Sequence, residues 1–410
     1  MSDDVIHDWN LLQPNHQQTP DIELHDETLR DGIQCPSVQD PSIDDKLAIL
    51  RLLDQLGVDT ADIGLPGAGP RAVEDVTVMT EMVRDEKLSI QLGCAARTHP
   101  NDIRPIIDIS ESTGVPIEVM AFLGSSPIRM LAEQWDEERL ETLTRDAARL
   151  TASAGLPFSF VTEDTVRSRP DTLRRLFTAA VEEGASRLVL CDTVGHATPA
   201  GVRNLVRFSH DLLVELGARD RVKLDWHGHD DRGLSLINGL VAAEAGCDRV
   251  HGTILGIGER VGNTPLDLLL VNLRLAGAHE GQLQALAELC ERVSTAVGRE
   301  IPVNYPVFGD DAFRTGTGVH AAAVIKAQAQ GDEWLADRIY SGVPAAWFGR
   351  RQEIQIGHQS GLSNVKFWLE QRGITAQEEL VQAVFSAAKR TNRVLTDDEV
   401  MGLVEASRGR

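Results

Sequence analysis

No apolar run in this sequence approaches the length needed to cross a membrane, and the first twenty residues, MSDDVIHDWNLLQPNHQQTP, lack the basic start and apolar core of a secretory leader. A cytoplasmic protein with no membrane partner is the expectation. Cysteine is scarce. Cys35, Cys94, Cys191, Cys247 and Cys290 are odd in number, scattered and free of CxxC spacing, which speaks against a disulfide framework and against a cysteine zinc site. Cys94 and Cys191 fall in apolar stretches and are expected in the core. Basic charge is also short, since 40 Lys and Arg face 62 Asp and Glu for a formal net charge of -22, with no segregated basic patch. Such a chain repels nucleic acid and anionic membranes. Internal repeats and low-complexity tracts are missing.

What is present is an ordinary globular composition, 42% hydrophobic and 25% charged, in a chain of 410 residues that is long enough for a large core and more than one domain. Short β-rich runs alternate with longer helical patterns, with strands expected near 22–25, 60–64, 89–94, 116–122, 157–162, 186–191, 221–227 and 249–254. Eight such strands, with no GxGxxG after the first, point to an α/β fold of the closed (β/α)8 TIM-barrel type rather than a doubly wound sheet. The expected organisation is an N-terminal arm (1–20), a barrel (21–280), a linker with a first small subdomain (281–345) and a second, helical subdomain (346–410). An amphipathic helix from Leu283 to Val297 leads out of the barrel, and two helices joined near 391–396 end the chain.

In a barrel of this type chemistry collects where strands end. Polar residues stand at most of those positions here: Asp62 before GLPG, Arg97 after LGCAA, Ser126 and Arg129 after VMAFLGS, Glu163 and Asp164 after FSFVT, Asp192 and Thr193 after LVLC. Any one of them reads equally as a helix cap. Their recurrence around the ring favours a shared pocket.

The HGHDD run at His227 to Asp231 places two imidazoles at i and i+2 on an extended segment, on one side of it, where both can bind one cation. Two solvated histidines are the bland alternative. The first strand runs into DETLRDGIQ, where Arg30 and Asp31 sit side by side at the start of the barrel interior. A metal site would use that carboxylate as ligand and the guanidinium as an anion clamp. A surface ion pair beside a turn at Gly32 is the other reading. After the barrel, TGTGVHAAAVIKA carries His320, which by itself reads as a loop residue, and the aromatic-rich YSGVPAAWFGRR carries Tyr340.

Taken together, DETLRDGIQ, TEDTVRS, CDTVGHATP, HGHDDRGL, GTILGIGERVGN, GTGVHAAAVIKA and GHQSG resemble the ordered motifs of the metal-dependent aldol acyltransferases that include 2-isopropylmalate, citramalate and homocitrate synthases. The resemblance spans nearly the whole chain. It implies one divalent metal ion held by Asp31, His227, His229 and Asn263, with zinc, manganese, cobalt and magnesium all compatible with the donor set, although two imidazoles favour the first three. It also implies acetyl-CoA as co-substrate and a 2-oxo acid as acceptor, joined by aldol addition and released by thioester hydrolysis. Arg30 would offset charge developing on the enolate or alkoxide. His320, assisted by Glu163 and with Tyr340 nearby, would move the proton. Gln34, Arg97, Ser126, Arg129 and Thr193 are the candidate acceptor contacts. A homodimer in which the second region of one subunit covers the barrel mouth of the other is implied as well.

Several residues depart from the family pattern. Asp230 follows the second histidine where Asn is usual, Ser341 follows Tyr340 where Glu is usual, and Arg129 stands where branched-chain-type synthases carry His. An arginine in the acceptor pocket favours a second anionic group, as in oxaloacetate, 2-oxoglutarate or phosphonopyruvate, over plain 2-oxoisovalerate. The alternative is that Arg129 turns outward to Glu133 or Asp136. A chain ending at 410 implies no leucine-regulatory C-terminal domain. Two other classes compete with this reading. A 3-hydroxy-3-methylglutaryl-CoA-lyase-like enzyme fits less well, because the eighth-strand region lacks Cys and about 130 residues follow the barrel. A non-catalytic relative fits poorly because every expected ligand is present.

Overall fold

Eight parallel strands close into a ring, and nearly every residue along them is buried. The computed structural model describes residues 5–7, 9–11 and 22–408, so most of the expected N-terminal arm lies outside the described residues. The strands are β1 (Glu23–Asp26), β2 (Thr60–Asp62), β3 (Gln91–Arg97), β4 (Ile117–Gly124), β5 (Phe158–Glu163), β6 (Arg187–Asp192), β7 (Lys223–Gly228) and β8 (Arg249–Gly252). Each pairs with its neighbours in sequence, and β1 closes on β8 with Glu23 opposite Arg249. The expected TIM barrel is therefore present, with strand ends shifted by a few residues. The second strand stops at Asp62 because its side chain turns back to accept the Gly64 N–H at 3.2 Å.

The helices around the ring are α1 (Ile43–Gln55), α2 (Pro70–Glu86), α3 (Pro100–Thr113), α4 (Pro127–Glu133), α5 (Glu137–Ser153), α6 (Pro170–Glu182), α7 (Pro199–Glu215), α8 (Ser235–Ala245) and α9 (Leu266–Leu275), followed by α10 (Gln284–Val297). Pro70, Pro100, Pro127, Pro170 and Pro199 each open a helix, where proline's fixed φ suits the first turn and its missing N–H leaves no bond unmade. These prolines mark the strand-to-helix turns whose residues ring the barrel mouth.

Charge fills the floor of the barrel interior. Arg249, fully buried, donates to Asp225 (2.8 Å) and, through both terminal nitrogens, to Glu118 (3.0 and 2.7 Å), while Arg187 donates to the other Asp225 oxygen at 2.8 Å. Paired guanidiniums hold the Asp225 carboxyl far below its usual range against the effect of burial. A buried network of this kind is costly to break, because removing one partner leaves an uncompensated charge in the core. Above it Met120, Val189 and Cys191 form an apolar layer, with Val161 against it.

The chain divides into two compact units, one of residues 1–281 with 288–299 and the other of residues 282–287 with 300–410. The second unit contains β9 (Arg314–Thr315) paired with β10 (Glu353–Ile354), and the helices α11 (Gly318–Ala329), α12 (Glu333–Arg338), α13 (Leu362–Gln371), α14 (Glu378–Lys389) and α15 (Asp397–Arg408). It is mainly helical, as expected, with a core that includes Val365, Trp368, Leu369, Leu380, Val384 and Val404. Among the described residues no helix is long and apolar enough to cross a membrane.

Candidate active site

The first strand runs into a tight turn rather than directly into a helix. Glu27 donates its backbone N–H to the Gly252 carbonyl (2.8 Å), and its own carbonyl accepts from Arg30 N (3.1 Å) and Gly32 N (3.0 Å). Asp26 braces the turn, its carboxylate accepting from the Thr28 N–H (2.9 Å) and hydroxyl (2.7 Å). That geometry carries Arg30 and Asp31 to the C-terminal end of the barrel, beside the histidines that β7 delivers.

Asp31 Oδ2 lies 3.5 Å from His227 Nε2 and 3.6 Å from His229 Nε2, and the two imidazole nitrogens are 3.2 Å apart. All three residues are buried. Burial, opposed by Asp31, lowers both imidazoles to about 4. Burial alone would raise the Asp31 carboxyl, but Arg30 and the two histidines outweigh it and hold it at about 2. At neutral pH a carboxylate and two neutral imidazoles thus converge on one point. Asp31 Oδ1 and Asn263 Oδ1 are both buried without a hydrogen-bond partner, and Asn263 pairs with His229 in an isolated bridge. At Gly258, with φ of 151°, a Cβ would collide with Asn263 Nδ2 and lie 3.5 Å from Asp31 Oδ1, so only glycine lets the loop pass this close. These residues fit a divalent cation: Asp31, His227, His229 and Asn263 could supply two oxygens and two nitrogens to it.

Arg30 is surrounded by acid. Its Nε donates to Asp62 (2.9 Å), its Nη1 is 3.3 Å from Asp31, and its Nη2 contacts Glu27 Oε2. Burial would lower its pKa, and Asp31 and Asp62 raise it instead. Glu27 Oε1 in turn lies 2.9 Å from His227 Nδ1 and 2.7 Å from His251 Nδ1. Burial lowers His251 to about 3, and its two ring nitrogens face two acids, Nδ1 at 2.7 Å from Glu27 and Nε2 at 3.3 Å from Asp225. His25, Glu27 and His251 also form a cluster of ligand type. Glu27 and His251 already engage each other there, and the charges of Arg249 and Arg30 bear on His25, so it reads as a support rather than a cation site.

A cavity of about 210 Å³ opens over these groups. Arg30, Asp31, Gln34, Glu163, Thr193, His227 and His229 line it, as do Glu259 and Arg260 of the loop after β8. Its other wall is apolar, built from Leu65, Ala95, Met120, Phe122, Val161 and Val189, with Cys191 between. Burial raises the Glu163 carboxyl, with Arg129 opposing and Asp164 and Glu133 adding to the rise.

Other residues picked out by sequence take different places. Arg97 is largely exposed and binds Asp102 through two nitrogens (2.7 and 2.8 Å). Ser126 is buried, caps α4 and donates to Asp164 at 2.5 Å. Neither lines the cavity. Thr193 lines it while accepting the Asp164 N–H at 2.8 Å. Arg129 is part-exposed, with its guanidinium 3.1 Å from Glu163 and 3.4 Å from Glu133. His320 and Tyr340 belong to the second unit, where their rings stack at 4.2 Å and 29° and both are exposed. Asp62, which sequence marks only as a polar strand end, holds Arg30. Sequence reasoning misses Glu27, His251 and Arg260. Glu27 and Arg260 lie within motifs quoted above, but nothing local announces that one meets His251 and the other Asp231 at 2.8 Å.

Comparison with known proteins gives a consistent result. The family model described as HMGL-like matches residues 21–293. Homocitrate synthase AksA of Methanopyrus kandleri is 31% identical over 373 residues, covering 90% of this chain and 87% of that protein. A 2-isopropylmalate synthase of Shouchella clausii is 30% identical, covering 93% of this chain and 73% of that protein. Among solved structures, the HMG-CoA lyase of Bacillus subtilis superposes with a TM-score of 0.55 at 20% identity, over 68% of this chain and 95% of that one, a likeness of fold alone.

Proposed function

The chain belongs to the HMGL-like family, and from that premise we propose that it is an acyltransferase that condenses acetyl-CoA with a 2-oxo acid to give a 2-substituted malate and free CoA. The observation that carries the reading is the convergence of Asp31, His227 and His229, with Arg30 beside them, in one cavity. A divalent cation held there by these residues and Asn263 would supply Lewis acidity toward the keto group of the acceptor.

The chain's own residues do the rest. A base removes a proton from the acetyl methyl group, the resulting carbon attacks the keto carbon to form the new carbon–carbon bond, and the alkoxide takes up a proton. Water then cleaves the thioester, releasing CoA thiol and a carboxylate. Arg30 stands where negative charge develops and is held rigid by three carboxylates, a preorganised arrangement. His320 is our candidate base, with Tyr340 stacked on it and Glu163 as its carboxylate partner, supplied by either chain of the homodimer that the resemblance implies.

For the acceptor we favour a dianion, with Arg129 receiving the second anionic group. Its Nε stands 3.1 Å from Glu163 of the cavity wall. The apolar wall of Met120, Phe122, Val161 and Val189 favours a second reading, an acceptor with a plain aliphatic substituent. A panel of 2-oxo acids with acetyl-CoA, followed by thiol release with and without chelator, separates the two. Metal-dependent release with oxaloacetate, 2-oxoglutarate or phosphonopyruvate but not 2-oxoisovalerate supports the dianion. Release with 2-oxoisovalerate or pyruvate alone supports the aliphatic reading, and no release with any acceptor sinks the synthase assignment.

A further inference from the structure

We infer that Glu27 is a positioning residue that locks His227 and Arg30 into one geometry and selects the ring tautomer in which His227 can bind a cation. The inference rests on the metal reading above and deepens it. Glu27 is 1% exposed, and its two oxygens face different parts of the site. Oε1 meets the Nδ1 atoms of His227 (2.9 Å) and His251 (2.7 Å), and Oε2 meets Arg30.

An ionised carboxylate only accepts hydrogen bonds. His227 must therefore turn an Nδ1–H toward it. For His227 this leaves Nε2 with a bare lone pair, and Nε2 is the atom that faces Asp31 and His229. The opposite tautomer would set a lone pair against Oε1 inside the protein, where an unmet acceptor pair is expensive. A carboxylate behind a ligating histidine fixes ring orientation and raises ligand basicity.

Charge balance on Arg30 does not explain Glu27. Arg30 already has Asp62 at 2.9 Å and Asp31 at 3.3 Å. Nor is Glu27 free to swing, because His251 holds Oε1 from the far side and is itself flanked by the His25 ring at 4.2 Å. Glu27 thus ties β1, β7 and β8 together directly beneath the converging ligands.

Two measurements test this. Nitrogen-15 spectra of metal-free wild type, with His227 assigned through His227→Gln, report the tautomer directly and need no substitution at Glu27. The expected state is Nδ1–H, and an Nε2–H state would overturn the inference. Cobalt(II) titration by calorimetry and visible absorption then compares wild type, Glu27→Gln and Asp62→Asn, each variant removing one carboxyl group from the surroundings of Arg30. The expected result is a loss of about 10–100-fold in cobalt affinity for Glu27→Gln and a much smaller loss for Asp62→Asn. Equal losses would reduce Glu27 to a generic charge and overturn the inference. Failure of wild type to bind cobalt at all would sink the metal reading itself, whereas an unchanged affinity in Glu27→Gln would sink only the role of Glu27.

Discussion

Arg129 folds back over Gly124. A Cβ added at Gly124 would lie 2.9 Å from Arg129 Nε and 3.2 Å from its Cβ, so the stem of the arginine occupies the space a β4 side chain would otherwise fill. Gly124 pairs in register with Glu163, which explains why the guanidinium meets that carboxylate. The arrangement links a backbone position to the proposed acceptor contact.

If Arg129 receives the second anion of the acceptor, Arg129→Ala should lower kcat/KM for dianionic acceptors by about 10–100-fold, the value of a charged hydrogen bond, and leave aliphatic acceptors nearly unchanged. Gly124→Ala should act in the same direction by displacing the stem. Steady-state kinetics across the acceptor panel decide it, and a uniform loss for all acceptors would place Arg129 outside the acceptor site.

Gly258→Ala should weaken binding of the proposed cation without unfolding the barrel. The new Cβ collides with the Asn263 amide and pushes that side chain away from Asp31 and His229. Metal affinity should fall at least about tenfold, as for other disturbances of ligand positioning. Elemental analysis after dialysis reads the loss, and full retention would remove Asn263 from the ligand set.

The floor network predicts a large stability effect far from the site. Arg249→Ala leaves Glu118 buried without its ion-pair partner and Asp225 with Arg187 as its remaining cation, and should cost about 3–5 kcal/mol in urea unfolding. Glu118→Gln should cost less in the Arg249→Ala background than in wild type, a positive coupling in the double-mutant cycle. Additive costs would show that the two side chains act independently.

Asp26 gives a pH signature. Burial pushes its carboxyl up to about 7, against the two hydrogen bonds from Thr28. An unfolded aspartate ionises near about 4. A raised folded pKa means that this contribution to stability is complete below about pH 4 and is lost as pH rises through about 7, at up to about 1.4 kcal/mol per pH unit. Asp26→Asn removes that slope. With chelator present, the stability of wild type relative to Asp26→Asn should therefore drop by a few kcal/mol between about pH 5 and pH 8. A difference that stays constant with pH would show that Asp26 is ionised throughout the range.

The parts of the site visible in sequence are those written in local periodicity. His227 and His229 share a side because strand residues alternate, and Arg30 and Asp31 follow a short strand into a glycine turn. Glu27 lies in the same motif yet carries no sign of its role, since its partner His251 is 224 residues away. Arg97 shows the converse. A strand-end arginine looks like an acceptor contact, but Asp102 in the first turn of α3 captures two of its three nitrogens and leaves it outside the cavity.

The eight-strand alternation, the prolines that open the helices and the adjacency of Arg30 and Asp31 are set within stretches of ten or twenty residues, so the barrel and the residues that converge at its mouth can be read along the chain. Which carboxylate stands behind His227, that Arg129 lies over Gly124, and that an apolar wall faces the charged one are settled only in three dimensions. The physical reason is distance along the chain. Hydrogen bonds and packing between strands far apart in sequence exist only once the ring closes, and no local pattern records them.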